Sequence, residues 1–289
     1  MFDGVITIYK PKGMTSHDVV SRVRKIARMK KVGHTGTLDP MAEGVLPVCL
    51  GKGTRIAEYL TGEDKTYLAR IRFGQETDTL DAEGKVVREC PLPTVSKEVF
   101  SDLVNEFLGP QMQMPPQYAA IKVEGKPLYR YAREGVTVEV PPRAITIHSL
   151  VLHSYDAATA EILVHCSKGT YIRSLARDIA LRADSCGHLE YLQRTQSGYF
   201  TLKEAVSLET LAEEGVAPHL RSIDQALPEV PAVYLEGMKA EKARLGNQIS
   251  PDAPLDIPVG TMVKIFHGEA LIGLGVWDAG LIKPKKIFV

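Results

Sequence analysis

The segment Gly33-His34-Thr35-Gly36-Thr37-Leu38-Asp39-Pro40 carries the residue types best suited to chemistry. Its two glycines can take positive φ and let the backbone approach a ligand closely. Pro40 biases Asp39 away from the helical region, into an extended conformation that projects its carboxylate. A carboxylate in this position would repel a phosphate. It suits a group that works on a sugar or a base while neighbouring cations hold a nucleic-acid backbone. Taken alone, Asp-Pro is more often a turn initiator. A phosphate-binding loop fails on spacing, since six residues separate Gly44 from Gly51-Lys52, and Gly53 follows.

The cations lie close by. Between Val19 and Leu38 stand Arg22, Arg24, Lys25, Arg28, Lys30 and Lys31, with no acid among them. Residues 1–60 carry ten Lys/Arg against five Asp/Glu and residues 61–110 carry six against ten, although the whole chain has net charge +0. Such a local patch suits a phosphate-binding face. On charge alone a solvated helix face is the better reading. Farther on, Tyr171 and Arg173 are two apart and are expected on an extended segment, where both would face the same side. Tyr67 begins an alternating apolar run and by itself reads as core packing.

Hydrophobic residues make up 44% and charged residues 24% of the 289 positions, ordinary values for a globular chain with a sizeable core. No apolar run approaches the ~20 residues that span a bilayer. The start, Met1 to Lys12, lacks the basic head and cleavage site of a signal peptide, so a cytoplasmic protein is expected. Cys49, Cys90, Cys166 and Cys186 form no Cys-x-x-Cys pair and read as reduced, mostly buried thiols. The histidines show no ligand spacing, and no metal or cofactor is expected.

The elements that must position these residues follow from periodicity. Gly4–Tyr9 reads as a strand. Ser16 is the expected N-cap of a helix whose Val19, Val20, Val23, Ile26 and Ala27 share one face. Val32 to Gly44 is expected to be an irregular loop, a length at which loops are usually functional. Val45–Leu50 and Lys65–Phe73 read as strands, with Tyr67, Ala69, Ile71 and Phe73 inward. A helix is expected near 98–108, strands over 143–155 and 159–167, a helix over 174–183 and a strand over 189–197. The stretch 111–135 reads as an insertion. Elements occurring in runs imply an α+β class with a mixed, mostly antiparallel sheet flanked by helices. After Pro228 short β segments between Gly and Pro turns suggest a small β domain.

Several motifs together resemble the TruB family of tRNA pseudouridine synthases, over nearly the whole chain. They are Lys10-Pro11-x-Gly13-x-Thr15-Ser16, the Gly33–Pro40 loop continuing to Gly44-Val45-Leu46-Pro47, Lys65-Thr66-Tyr67, and Thr77-Asp78-Thr79-x-Asp81. Pro115-Pro116-x-Tyr118-x-Ala120-x-Lys122, Leu128-Tyr129-x-x-Ala132-Arg133-x-Gly135, Cys166-Ser167-Lys168-Gly169-Thr170-Tyr171-Ile172-Arg173 and His188-Leu189-x-x-Leu192-x-Arg194-Thr195 follow in the family's order.

The resemblance implies the pseudouridine synthase fold over residues 1–228, with a thumb-like insertion at about 112–141, and a PUA-like domain over 229–289. It implies isomerisation of the T-loop uridine at tRNA position 55, with Asp39 as the catalytic carboxylate and Arg173 as its partner. Tyr67 would stack on the flipped uracil, Leu192 would line the other side, and Asp81 would join the arginine network. His34 would fill the space left by the extruded base, and Tyr171, Lys10, Lys30 and Lys31 would contact substrate. It further implies a stand-alone monomer gripping the T-arm and acceptor stem, without a cofactor or obligatory protein partner, and able to assist tRNA folding. Two alternatives stand beside it: a guide-RNA pseudouridylation subunit, and a non-catalytic tRNA-binding protein.

Overall fold

The computed structural model describes residues 2–252 and 255–288. In chain order the first elements are β1 (Gly4–Lys10), α1 (Ser16–Ala27), β2 (Val32–His34) and β3 (Glu43–Leu50). A 3-10 turn, Gly51–Ile56, leads into α2 (Ala57–Thr61), followed by β4 (Lys65–Phe73), β5 (Gln75–Thr77), β6 (Val86–Glu89), α3 (Lys97–Asn105) and β7 (Gly109–Gln113). Then come β8 (Lys122–Val123), β9 (Lys126–Pro127), α4 (Leu128–Arg133), β10 (Arg143–Tyr155), β11 (Thr159–Cys166), α5 (Ile172–Arg182) and β12 (Gly187–Ser197). The last part holds β13 (Phe200–Thr201), α6 (Leu208–Glu214), β14 (Leu220–Arg221), β15 (Ala232–Tyr234), α7 (Gly237–Arg244), β16 (Met262–His267), β17 (Ala270–Asp278) and β18 (Leu281–Ile287).

The main sheet runs β14-β1-β3-β12-β4-β11-β10-β7, with β2 beside β3 and β13 beside β12. Its pairs are antiparallel except β12 against β3, which matches the mixed, mostly antiparallel expectation. Alternation along β4 places Tyr67, Ala69, Ile71 and Phe73 in one core with α3 and α5. A second core forms where α1 and α6 cover β1 and β3 through Val19, Val20 and Val23. Strand β12 is irregular at two points, between Leu189 and Tyr191 and between Arg194 and Gln196, while the stretch between them pairs regularly with β4.

The C-terminal strands form a separate four-stranded sheet, β15-β16-β17-β18, around Ile265, Ile272 and Trp277. It is joined to the main body by an apolar cluster uniting Leu274 and Phe288 with Val5, Val45 and Ile56. Lys264–Asp224 at 2.6 Å and Lys286–Glu58 at 2.7 Å add ion pairs across the same junction.

Four expectations are corrected. The cap of α1 is Thr15, which closes a reciprocal capping box with Asp18. Ser16 is instead buried and used elsewhere. The 32–44 segment is not wholly irregular, because Val32–His34 pairs with Leu50–Val48. The insertion begins later than expected, because Met112 and Gln113 belong to the edge strand β7. Finally, Cys90 and Cys186 form a disulfide, and only Cys49 and Cys166 are free and buried. Their separation of 96 residues carries no sequence signal. They meet because the β5–β6 ribbon returns to the end of α5. Denatured, unreduced protein is therefore expected to react with two equivalents of a thiol reagent, and with four after reduction. Four equivalents before reduction would show the pair to be open.

Candidate active site

Asp39 lies in a loop held from several sides. The Ser16 hydroxyl accepts from the Leu38 amide at 2.9 Å and donates to the Leu38 carbonyl at 3.2 Å. The Gly13 amide donates to the Pro40 carbonyl at 2.8 Å. Lys10, 0% exposed, sends its Nζ to the carbonyls of Ala42 at 2.6 Å, Pro11 at 2.9 Å and Pro40 at 3.4 Å. The expectation that Lys10 contacts substrate is thus corrected: its ammonium group ties the turn after Asp39 from behind. Burial lowers its pKa to about 8, against the opposing pull of Asp39. The Lys-Pro-x-Gly-x-Thr-Ser motif is therefore a clamp for the neighbouring loop.

Of the two loop glycines, only Gly36 needs its freedom, with φ +136. Gly33 sits in β2 with ordinary backbone. Gly44 matters as much, because at φ +104 a Cβ there would lie 2.3 Å from the Arg194 carbonyl. Only glycine lets β12 approach β3 at this point.

The Asp39 carboxylate forms a two-point pair with Arg173, Nε to Oδ2 at 2.9 Å and Nη2 to Oδ1 at 3.2 Å. The same guanidinium reaches Asp81 at 3.5 Å and the carbonyls of Thr79 at 2.9 Å and Tyr118 at 3.0 Å. Asp81 is itself held by the Thr79 hydroxyl at 2.6 Å and the Glu83 amide at 3.1 Å. Burial raises the Asp39 pKa above its ordinary 3.8, and Arg173 opposes the rise. The carboxylate keeps 35% of its surface exposed, and that surface faces a cavity of about 580 Å³.

Tyr171 and Arg173 do not share an extended segment as expected. The helix α5 begins at Ile172, with Tyr171 extended at its N-cap and Arg173 in its first turn. Gln113 fixes the backbone of Tyr171: its side-chain carbonyl accepts from the Tyr171 amide at 2.8 Å, and its amide donates to the Tyr171 carbonyl at 3.1 Å. Both side chains nevertheless line the cavity.

Asp39, Tyr67, Tyr171, Arg173 and Leu192 surround this one cavity. Asp81 lies behind Arg173 and outside the wall. His34 also lies outside it, half-buried at the end of β2, with Nδ1 accepting from the Gly36 amide at 3.3 Å. Burial and the nearby Arg194 lower the His34 pKa, favouring the neutral ring. Lys30 and Lys31 are exposed in the turn after α1, which ends at Ala27, so they are not part of a basic helix. Arg24 is diverted to the Val32 carbonyl at 2.9 Å.

Four further cations line the cavity, Lys65, Arg143, Lys168 and Arg194, and the sequence reading assigns a role to none of them. Lys65 bonds to the carbonyls of Thr61 and Glu63, and burial lowers its pKa to about 8. Gln113 was missed as well. Nothing in a lone Gln signals such a role. For Lys65 and Arg194 a signal is present, since they stand in the motifs that hold Tyr67 and Leu192.

An ionised acid fixed by a forked cation, facing a cavity walled by apolar side chains, cations and a tyrosine ring, can act on the sugar of a base lodged there. Comparison with known proteins agrees. Residues 24–172 match the model of the TruB family pseudouridylate synthase N-terminal domain. A relative from Caldanaerobacter subterraneus subsp. tengcongensis, tRNA pseudouridine synthase B, is 43% identical over 99% of both chains. One of the same name from Bacillus velezensis is 44% identical over 100% of this chain and 98% of its own. Among solved structures, a Cbf5-Nop10-Gar1 complex aligns with TM-score 0.76 and 25% identity over 99% of this chain and 85% of that one. An H/ACA RNP bound to a substrate RNA containing 2'-deoxyuridine aligns with TM-score 0.76 at 24% identity, a likeness of fold. With an acid, its arginine and a tyrosine gathered where the motifs required them, and relatives matching from end to end, the chain belongs to the TruB family of pseudouridylate synthases.

Proposed function

We propose that this protein converts a uridine of tRNA, the T-loop residue at position 55, into pseudouridine. The observation that carries the reading is the Asp39 carboxylate, held by Arg173 at 2.9 Å and open to the cavity that Tyr67 and Leu192 also line. The reaction breaks the C1′–N1 bond, turns the uracil and rejoins it through C5, which loses its proton while N1 gains one. Asp39 can serve by attacking C1′, as in a retaining glycosidase, or by taking the proton at C2′. Both routes need it ionised beneath the ribose. The base must first leave its stack and enter the cavity, at a cost of a few kcal/mol. Tyr67 then stacks on one face of the uracil and Leu192 covers the other, while Tyr171 borders the sugar. Asp81 keeps Arg173 aimed.

Close relatives that carry tRNA in their names match at 43% and 44% identity, which supports a tRNA substrate over a guide-RNA complex. His34, beside the loop, is placed to meet the RNA from which the base has left. The segment from about 114 to 141 acts as the thumb: Lys126 over Tyr131 and Arg133 over Tyr129 give it a basic, aromatic surface. Residues 229–289 act as a PUA-like domain on the acceptor stem. The protein works as a cytoplasmic monomer. No described helix is long and apolar enough to cross a membrane.

The decisive experiment incubates the protein with unmodified tRNA and maps pseudouridine. Product at position 55 is expected, and none at high enzyme concentration would end this reading. Lys30 and Lys31 contact phosphate, so their joint replacement by Ala should lower the slope of log affinity against log salt by about two. An unchanged slope would remove them from the interface.

A further inference from the structure

Arg194 is 1% exposed and among the largest fully buried side chains of the described residues. No carboxylate pairs with it among those residues, whereas Arg173 has two. A buried cation without a counter-ion is costly and persists where something else uses its charge. Its fork is fixed by carbonyls: Nε donates to Val45 at 2.7 Å, and Nη2 donates to Gly36 at 3.3 Å. Across the sheet, Arg194 is the direct partner of Tyr67. As direct cross-strand partners the two side chains project from the same face of the sheet, and both residues line the cavity beside Asp39.

We propose that Arg194 is a positioning residue that acts on the reaction through Tyr67, holding the tyrosine oxygen so that the ring stays correctly set against the uracil. The proposal rests on the isomerase reading above. Burial raises the Tyr67 pKa, and the Arg194 charge is the first influence that opposes the rise. The carbonyl contacts keep the guanidinium from swinging into the cavity. The effect should therefore fall on the chemical step, leaving tRNA affinity alone.

The test is a double-mutant cycle read by single-turnover rate and tRNA Kd. Arg194→Gln should slow the step roughly ten- to a hundredfold, the range of one hydrogen bond to a charged group. Its Kd should stay within about twofold. In a Tyr67→Phe background, the same change should cost less than about twofold more, because the hydroxyl it serves is gone. Arg194→Lys keeps the charge but not the fork, so it should remain folded and still lose rate. Additive losses in the cycle, a Kd effect in place of a rate effect, or full activity of Arg194→Lys would each overturn the proposal. Wild-type product formation in the same assay separates the two readings: no product sinks the function itself, whereas product with unaffected variants sinks only the role of Arg194.

Discussion

Asp39→Asn is expected to bind tRNA as tightly as the parent and to lose single-turnover activity by roughly 10⁴- to 10⁶-fold, the range for removal of a principal catalytic group. The change is nearly isosteric, so the loop clamped by Ser16, Gly13 and Lys10 should persist. A filter-binding isotherm together with pseudouridine mapping measures both quantities, and retained turnover would transfer the chemistry to another acid. The same residue sets the acid limb. Its folded-state pKa lies above 3.8, so activity should fall as pH drops through that raised value. Protonating a group whose folded pKa exceeds its unfolded one relieves the folded state. Loss of activity on acidification should therefore precede unfolding, which a pH series of activity beside circular dichroism would show.

Arg173→Met should have the largest effect on stability. It removes a guanidinium bound to Asp39, Asp81 and the carbonyls of Thr79 and Tyr118. Two carboxylates and two carbonyls then lose their donor. Removing one member of a buried ion pair typically costs roughly 3–5 kcal/mol, or a Tm lower by about ten degrees for a domain of this size. Adding Asp81→Asn should recover part of that loss. Arg173→Lys should fold better and still work poorly, since a point charge cannot hold Asp39 at two oxygens. Its acid limb should move to higher pH, because the group that opposes the burial of Asp39 is weakened. A melting curve unmoved by Arg173→Met would show the network to be incidental.

How legible these features were depended on whether a local rule governed them. Strand β4 could be read from alternation because one face is buried and the other is wet. Asp39 could be singled out because its neighbours restrict the backbone, and the motifs then gave it Arg173. The roles of Lys10 and Ser16 were not legible. Their partners are carbonyls and an amide in another segment, which exist as targets only once the loop has folded beside β1 and α1. Gln113 holds Tyr171 from 58 residues away. The helix α5 begins at the next residue, two positions before the apolar pattern suggests. Arg194 stands in a motif with Leu192, but its pairing with Tyr67 across the sheet has no counterpart in the sequence.

The two irregular points of β12 have a consequence for how far this chain can be remodelled. They bracket Leu192 and Arg194, which pair with Ala69 and Tyr67 and both reach the cavity. An insertion or deletion outside the bracket can be absorbed at a bulge, which already tolerates a mismatch in count. One inside it would turn at least one of the two side chains to the opposite face. A library of single-residue insertions and deletions scanned along 187–197 should therefore show a narrow intolerant window between the bulges, with surviving variants concentrated at its ends.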